Sequence, residues 1–263
     1  MKKKITKKIE NDIQNNIKLW KSTCKQMDNY KIVSSVKEEL SADEVVENTY
    51  DELFVKVFHE NIMDTLEAAI AQEFTPMLVN SANAQHPLDA LKTGASGQEY
   101  DILRRTNYYN TITDEMFPIK ETGAIYSPEV YLFKSSDNRT CPKAKKFSML
   151  TLCPLRNPKL ISIRTDGNMQ DTYKEKHEET LAGDKIRLIF DTALKYNHDC
   201  IILPDFGCGK ENNPLDITVR FFNENIRRSA VKYVFFSIKN ENNMSRDGQF
   251  LYFHKNILRS VEN

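Results

Sequence analysis

Short apolar runs alternate with stretches of helical periodicity along most of this chain, and this alternation constrains its fold more than any other feature. Strand-like runs lie at residues 53–58, 76–80, 129–134, 147–152, 200–204 and 232–238. Helical patterns lie at residues 63–74, 98–106, 184–197 and 215–226, and a further helix is expected at the C-terminus. Strands that alternate with helices are joined by crossover connections. The sequence therefore predicts an α/β domain whose largely parallel sheet lies between helical layers.

The first fifty residues differ from the rest in being rich in lysine, asparagine and glutamate. Their scattered apolar residues recur at spacings of four and three, which places them on one stripe of a helix: Ile9, Ile13, Ile17 and Trp20. We therefore predict a helical N-terminal extension over residues 1–50 and a single domain over residues 51–263. The basic segment MKKKITKKIE is more typical of a solvated helix end than of a nucleic-acid-binding arm.

Charge and cysteine content limit the partners and the compartment. The 37 lysines and arginines balance 37 aspartates and glutamates, so no net field drives binding to nucleic acid or to an anionic membrane. No window approaches about 18 consecutive apolar residues, and the N-terminus lacks the apolar segment of a secretory signal. The five cysteines are odd in number and form no CxxC pair, which favours free thiols. We expect an intracellular, cytoplasmic protein with no membrane or direct nucleic-acid partner and no cofactor. No metal-ligand spacing is visible, so we expect no metal.

One polar segment, SANAQHPLDALKTGASGQEYDILRRTNYY, follows the strand-like run at 76–80 and has two interpretations. In the first, Ser96 and Glu99 form a capping box at a helix start, and Asp101 pairs with Arg105 four residues on. In the second, the loop and the helix tip hold a ligand whose chemistry needs a carboxylate. The second is favoured by the polar residues that collect before the helix, namely Asn80, Asn83, Gln85, His86 and Asp89. His86 is expected to be a hydrogen-bonded loop residue rather than a base.

A second loop, PDFGCGKENNP, follows the strand-like run at 200–204. Gly207 and Gly209 flank Cys208, and glycines let backbone N–H groups approach a diphosphate, to which Lys210 adds a positive charge. The alternative is a tight strand-to-helix connection that uses glycine for a positive φ. Cys208 is more typical of a buried structural thiol than of a nucleophile, because no histidine is close in sequence. Open α/β sheets bind ligands at the carboxyl ends of their strands, where both loops are expected.

Taken in order, several segments resemble those of the microbial-type poly(ADP-ribose) glycohydrolases, a branch of the macrodomain superfamily. The segments are NIMDTLEAA, MLVNSANAQHP, GASGQEYDILRRTNYY, IYSPEVYLFK, MLTLCPLRNP and IILPDFGCGKENNP. The likeness covers about residues 55 to 240 and leaves the first fifty residues outside. The ordered set is far more specific than any one segment.

This resemblance implies a three-layer α/β/α macrodomain-like fold, with a mixed, largely parallel sheet, that binds ADP-ribose or an ADP-ribosylated protein. Asp64 is similar to the family's acidic residue on the adenine side, and Asn83 resembles the asparagine that contacts the distal ribose. Gln98 resembles the glutamine that precedes the family's paired glutamates. The remaining residues resemble the diphosphate loop and the residue that closes it: Gly207, Cys208, Gly209, Lys210 and Asn213.

Two departures from the family pattern bear on its activity. The family has three consecutive glycines after the asparagine, and here Asp89 stands where a glycine is expected. The family also has two glutamates after the glutamine, of which the second is the catalytic acid; here Glu99 is followed by Tyr100. Tyrosine titrates near pH 10 and is a poor acid at neutral pH. The candidate catalytic carboxylates are therefore Asp89, Glu99 and Asp101.

During cleavage of a ribosyl bond the reacting ribose carbon becomes cation-like. One acidic group that assists the leaving group and one that activates water are sufficient. We expect a hydrolase that removes mono-ADP-ribose from protein side chains. Asp89 places a carboxylate in the loop where the family has glycines, and a carboxylate there favours a cationic leaving group such as arginine. In this the chain resembles divergent effector macrodomains that act on ADP-ribosylated ubiquitin. Two alternatives stay open: a module that binds ADP-ribose without cleaving it, and an interaction protein on a degenerate macrodomain.

Overall fold

The computed structural model describes residues 2–40, 53–165, 167–239 and 247–258. The helices are α1 (Lys2–Met27), α2 (Ile62–Ala71), α3 (Leu88–Lys92), α4 (Gln98–Arg105), α5 (Lys176–Lys195), α6 (Leu215–Arg228) and α7 (Asp247–Asn256). The strands are β1 (Val36–Glu39), β2 (Phe54–Phe58), β3 (Pro76–Ser81), β4 (Gly123–Lys134), β5 (Thr140–Leu152), β6 (Leu160–Thr165), β7 (Asn168–Tyr173), β8 (Cys200–Leu203) and β9 (Tyr233–Ser237).

Seven strands form the central sheet in the order β1-β4-β5-β3-β8-β9-β2. The pairs β1/β4 and β4/β5 are antiparallel, and the four pairs from β5 to β2 are parallel. Because β3 and β8 are buried along almost their whole length, they read in the sequence as continuous apolar runs. The predicted mixed, largely parallel sheet is confirmed.

The two faces of the sheet are covered by different helices, which gives the three layers. Alternate residues of one strand point to opposite faces, so Met77 and Val79 of β3 join one core while Leu78 joins the other. The first core is completed by apolar residues of α5, α6 and α7: Ile186, Ile189, Val219, Phe222 and Phe253. The second is completed by apolar residues of α1, α2 and α4: Trp20, Met63, Leu66, Ile102 and Leu103. The predicted α/β/α architecture is confirmed.

Several elements are longer than predicted or were not predicted. β4 and β5 extend well beyond 129–134 and 147–152, and α5 begins at Lys176 rather than at 184. The added part of β5 is mostly polar, so it carries no apolar signal. The hairpin of β6 and β7 was not predicted, because it pairs only with itself and leaves most of its residues exposed. The five-residue α3 was predicted to be loop.

The N-terminal segment packs closely on the domain. α1 contacts α3 and α4, so the predicted N-terminal helix is present over Lys2–Met27. The same segment also contributes β1, a short polar strand at the sheet edge that the sequence pattern did not indicate. The boundary predicted at residue 50 falls within residues 41–52, outside the described part of the chain. Within the described residues, no helix has the length and apolar character needed to cross a membrane.

Candidate functional site

The carboxyl ends of five parallel strands, β2, β9, β8, β3 and β5, lie along one edge of the sheet. The two loops singled out in the sequence leave β3 and β8, which are hydrogen-bonded neighbours. A third loop, residues 153–159, leaves β5 on the other side of β3. Since α/β sheets bind ligands at this edge, the structure brings both predicted loops to the place where a ligand is expected.

Glu99 lies in the first turn of α4 and reaches back to the loop after β3. Its side chain is buried, with 8% exposure, and its Oε2 accepts a hydrogen bond from the backbone N–H of Asn83 at 3.3 Å. The predicted capping box of Ser96 and Glu99 is wrong. The N-cap is Gly97 at φ 131°, and no described side chain caps this helix. Because the helix begins one residue later than the capping box requires, Glu99 is the second helical residue and faces the loop instead.

The environment of Glu99 changes its acidity. Burial raises the pKa of Glu99 from its ordinary value of 4.5 to about 7, because the ionised form loses solvation. The Asn83 N–H and the positive charges of Lys210 and Arg156 act in the opposite direction, since they favour the carboxylate. A carboxyl group with a pKa near 7 exchanges protons readily at neutral pH, which general acid–base catalysis requires.

Arg156 is a residue of this site that the sequence analysis missed. It is exposed in the loop after β5, and its Nη1 donates to Oδ1 of Asn83 at 3.4 Å. Asn83 therefore contacts Glu99 through its backbone and Arg156 through its side chain. The sequence shows only that Arg156 stands four residues beyond the end of a strand-like run; the structure adds that this strand neighbours β3.

Several buried polar atoms lack a hydrogen-bond partner among the described residues. They include Nε2 of Gln98, Oδ1 of Asn80 and the hydroxyl of Tyr108. Gln98 thus retains an unused donor beside Glu99 in the first turn of α4, as a ligand-binding role requires; that role stays a prediction. Burial also raises the pKa of Tyr108 far above its usual range, and the negative charge of Glu99 adds to this.

The structure does not gather the three predicted carboxylates. Asp101 accepts from Nη1 of Arg105 at 3.5 Å, so the ion-pair alternative is confirmed. Arg105 is buried and also pairs with Glu67 at 3.1 Å, which holds its guanidinium in place beside Asp101. Asp89 is exposed on α3, in a helical turn rather than in a loop that closes on a ligand. Glu99 is the one member of the trio that is buried against the loop after β3.

The loop after β8 has a backbone that only glycine can supply at its centre. Gly207 adopts φ 86°, and a β-carbon there would lie 2.6 Å from Cβ of Pro154 and 2.6 Å from Nδ2 of Asn213. This close approach presses the loop against the segment that leaves β5. The expected tight, glycine-dependent turn is therefore present, with its backbone at the carboxyl edge of the sheet.

Asn213 fixes this loop from within the protein. Its Nδ2 donates to the carbonyl oxygens of Leu155 at 2.8 Å and Gly207 at 3.1 Å, and its Oδ1 accepts from the Tyr173 hydroxyl at 3.0 Å. Both amide hydrogens are thus used. Asn213 therefore closes the loop, as the resemblance implies, and its contact with a ligand stays a prediction.

The other members of the loop differ in their exposure. Cys208 is buried, and burial raises the pKa of its thiol far above its usual range, as expected of a structural cysteine. Its carbonyl oxygen accepts a hydrogen bond from Gln249 on α7. The side chain of Lys210 is 75% exposed and stands 3.7 Å from Glu211. Gly209 lies next to Asp205, whose Oδ2 would be 3.2 Å from an added β-carbon.

Asp64 lies in the first turn of α2, the helix that follows β2. It is half-buried, and desolvation raises its pKa although Arg105 acts against this. Nearby, the His59 ring stacks on Phe250 of α7 with 4.7 Å between ring centroids. Across the described residues, no group of three histidine, cysteine or acidic side chains is arranged to hold a metal ion.

Solved structures with the same fold are bacterial poly(ADP-ribose) glycohydrolases. The crystal structure of the Thermomonospora curvata protein matches with a TM-score of 0.72 at 14% identity, over 93% of this chain and 100% of that chain. The same protein bound to the inhibitor ADP-HPD gives 0.71 at 14% identity, over 90% and 98%. The Deinococcus radiodurans protein in complex with ADP-ribose gives 0.63 at 16% identity, over 80% and 86%. These likenesses confirm the macrodomain-like fold. No curated protein sequence matched the chain.

The family model for the microbial-type PARG catalytic domain matches residues 2–135, just over half of the chain. This range includes the N-terminal segment, which the motif resemblance had left outside, and it includes Asn83 and Glu99. The chain belongs to the family of microbial-type PARG catalytic domains.

Proposed function

We propose that this protein is an ADP-ribosyl hydrolase that cleaves the bond between the distal ribose of ADP-ribose and a protein side chain. The observation that carries the proposal is the buried Glu99 carboxyl, with a pKa of about 7, held by the Asn83 N–H. Membership of a glycohydrolase family and the ADP-ribose found in the Deinococcus radiodurans structure support the class of substrate.

Binding of ADP-ribose would use the loops along the carboxyl edge of the sheet. The backbone around Gly207 is shaped by its positive φ to approach a diphosphate, with Lys210 adding a positive charge. Asp64 is proposed at the adenine end. Asn83 and Gln98 are proposed at the distal ribose, next to Glu99, so that the bond to be cleaved lies beside the acidic group.

In the proposed reaction Glu99 acts as a general base. It removes a proton from water as the water oxygen bonds to the anomeric carbon of the distal ribose, and the bond to the protein side chain breaks with both of its electrons leaving on the side-chain atom. Tyr100, which replaces the family's catalytic acid, cannot take over as acid, because desolvation raises its pKa further above neutrality. One titrating carboxyl group therefore performs the proton transfer.

The finer hypothesis of an arginine linkage rested on Asp89 as a carboxylate close to the leaving group. Asp89 is exposed on α3, and Asp101 is paired with Arg105, so neither supports that linkage directly. Arginine-linked ADP-ribose on a protein such as ubiquitin is therefore one arm of the substrate panel below, beside ester-linked and serine-linked forms.

The second candidate function is a module that binds ADP-ribose without cleaving it. The observation that favours it is Tyr100 at the position of the family's acid. A binding module would keep the loop around Gly207 and the Asn83 contact, and would have no need of a proton-transferring group. Turnover separates the two functions, because both bind free ADP-ribose.

The test is release of ADP-ribose from mono-ADP-ribosylated peptides with ester, arginine and serine linkages. Wild type is compared with Glu99→Gln and with Glu10→Gln, which alters an exposed glutamate on α1 as a matched control. We expect release by wild type and the control, and a loss of about 100-fold or more in Glu99→Gln with calorimetric affinity for ADP-ribose largely kept. Binding with no release from any linkage would establish the binding module instead.

A further inference from the structure

We propose that Arg156 makes this site selective for ADP-ribose attached to a carboxylate, that is, for esters of glutamate or aspartate side chains. The inference rests on the proposed function, because it names the leaving group of the same reaction. It reverses the arginine preference suggested by the sequence. The observation behind it is that the Arg156 guanidinium and the buried Glu99 carboxyl both hydrogen-bond to Asn83.

Asn83 hydrogen-bonds to both Glu99 and Arg156. Its backbone N–H donates to Glu99 at 3.3 Å, and its Oδ1 accepts from Nη1 of Arg156 at 3.4 Å. Arg156 is otherwise exposed in the loop after β5, and within the described residues its one hydrogen bond uses Nη1, so most of its five N–H donors can face a ligand. A ligand whose ribose reaches Asn83 and Glu99 therefore brings its leaving group next to this guanidinium.

The neighbouring charges favour an anion at this position. Asp101, the other candidate carboxylate on α4, is paired with Arg105. Lys210 is close enough to Glu99 to favour its ionised form, as is Arg156. A guanidinium leaving group would meet Arg156 as a like charge, whereas a carboxylate can accept two parallel hydrogen bonds from it.

The chemistry of the leaving group agrees with the loss of the family's acid. Water attacks the anomeric carbon, Glu99 takes its proton, and the bond to the carboxylate oxygen breaks with both electrons leaving on that oxygen. A carboxylate has an ordinary pKa near 4 and departs as a stable anion without a proton donor. Alcohol and guanidine leaving groups require a proton, which Tyr100 is too weakly acidic to give. Arg156 then stabilises the developing negative charge.

The test uses one peptide family with ester, arginine and serine linkages and three variants. Arg156→Ala removes the guanidinium, Arg156→Glu reverses its charge, and Arg164→Ala is the control, since Arg164 is an exposed arginine on β6. We expect wild type to release ester-linked ADP-ribose fastest, and Arg156→Ala to slow ester release by about tenfold to 100-fold. The arginine linkage should respond to Arg156→Ala by less than about threefold, and Arg156→Glu should shift preference towards it. The control should behave as wild type.

Affinity for free ADP-ribose provides a second readout, which a general structural role of Arg156 would change. It should stay within about threefold of wild type in Arg156→Ala, since free ADP-ribose carries no leaving group. Faster release from arginine than from ester by wild type would overturn the inference while leaving the proposed function intact. Equal slowing of all linkages in Arg156→Ala would do the same and would assign Arg156 to holding Asn83. No release of any linkage would remove the proposed function and this selectivity with it.

Discussion

Asn16 on α1 donates a hydrogen bond from Nδ2 to the carbonyl oxygen of Gly94, 3.1 Å away, just before the helix that carries Glu99. Gly94 adopts φ 80°, and a β-carbon on it would lie 2.7 Å from the carbonyl oxygen of Ile13. The turn is therefore pressed against the N-terminal helix. Thr23, on the same helix, donates to the carbonyl oxygen of Arg104 near the other end of α4. The N-terminal helix thus holds both ends of the element that positions Glu99.

Replacing Asn16 with alanine should displace the turn and slow catalysis more than it lowers stability. Loss of one partly buried hydrogen bond costs about 1 kcal/mol of unfolding free energy. Misplacement of a reacting group by a fraction of an ångström can cost tenfold or more, so we expect kcat to fall by about tenfold with little change in ADP-ribose affinity. The measurement is steady-state release of ADP-ribose with urea unfolding of the same preparation. Asn15→Ala, an exposed neighbour of the same type, is the control. Equal kcat values in the two variants would show that the Asn16 contact does not position Glu99.

The strands that the sequence predicted are those whose burial in the folded protein requires a run of apolar residues. β3, β8 and β9 were predicted almost to the residue, because strands in the middle of a parallel sheet must be apolar on both faces. β1 and the β6–β7 hairpin were missed, since these strands are largely exposed and solvent sets most of their residue types. Where a strand buries few apolar residues, the pattern that identifies it is absent from the sequence.

Glu99 should make the protein less stable as pH rises from about 5 to 8. Its pKa is about 7 in the folded state and 4.5 ordinarily, so between these values the folded state binds more protons than the unfolded state. Stability from this group is full below pH 4.5 and is lost as pH rises through 7, by up to about 3 kcal/mol. Glu99→Gln removes this dependence. Denaturant unfolding at pH 5 and pH 8 should show that the free energy of unfolding of Glu99→Gln, relative to that of wild type, is higher at pH 8.

The difference between the two proteins isolates Glu99, because all other titrating groups contribute equally to both. Glu10→Gln, which changes an exposed glutamate on α1, serves as control and should track wild type at both pH values. A constant difference between wild type and Glu99→Gln from pH 5 to pH 8 would mean that the Glu99 carboxyl ionises at its ordinary pKa.

The rate of ADP-ribose release should rise with pH through about 7 and then level off. A general base is active when ionised, and Glu99 is ionised above its pKa of about 7. The measurement is kcat for the fastest-cleaved linkage between pH 5 and pH 9, corrected for the uncatalysed rate at each pH. Glu99→Gln should show a low, flat profile. A rate that falls through pH 7 would identify Glu99 as an acid instead of a base.

The candidate site was predictable where residue identity alone decides the chemistry and not where a backbone torsion does. Asn83, Glu99 and the glycine loop were proposed from the order of their segments along the chain, and the structure brings the loops after β3 and β8 to one edge of the sheet. The capping box failed because Gly97 adopts φ 131° and starts the helix one residue later, which no residue pattern specifies. Arg156 was missed because its role comes from the adjacency of β5 and β3, and that pairing is a property of the sheet.

Replacing Gly207 with alanine should abolish tight ADP-ribose binding. The new β-carbon would lie 2.6 Å from both Cβ of Pro154 and Nδ2 of Asn213, and φ 86° is unfavourable for alanine. The loop must move, which breaks the Asn213 contacts that close it and turns its backbone N–H groups away from the proposed position of the diphosphate. We expect an affinity loss of about 100-fold and a stability loss of about 1–3 kcal/mol.

Gly167→Ala is the matched control for this change. Gly167 lies in the turn between β6 and β7 with a similar φ of 84°, but an added β-carbon there would meet no atom within 4 Å. It should therefore cost about 1 kcal/mol of stability from the backbone alone and leave ADP-ribose affinity unchanged. Calorimetric titration and thermal unfolding of both variants separate the two effects. If Gly207→Ala keeps wild-type affinity, the loop after β8 does not hold the diphosphate, and the ligand must be bound elsewhere along the sheet edge.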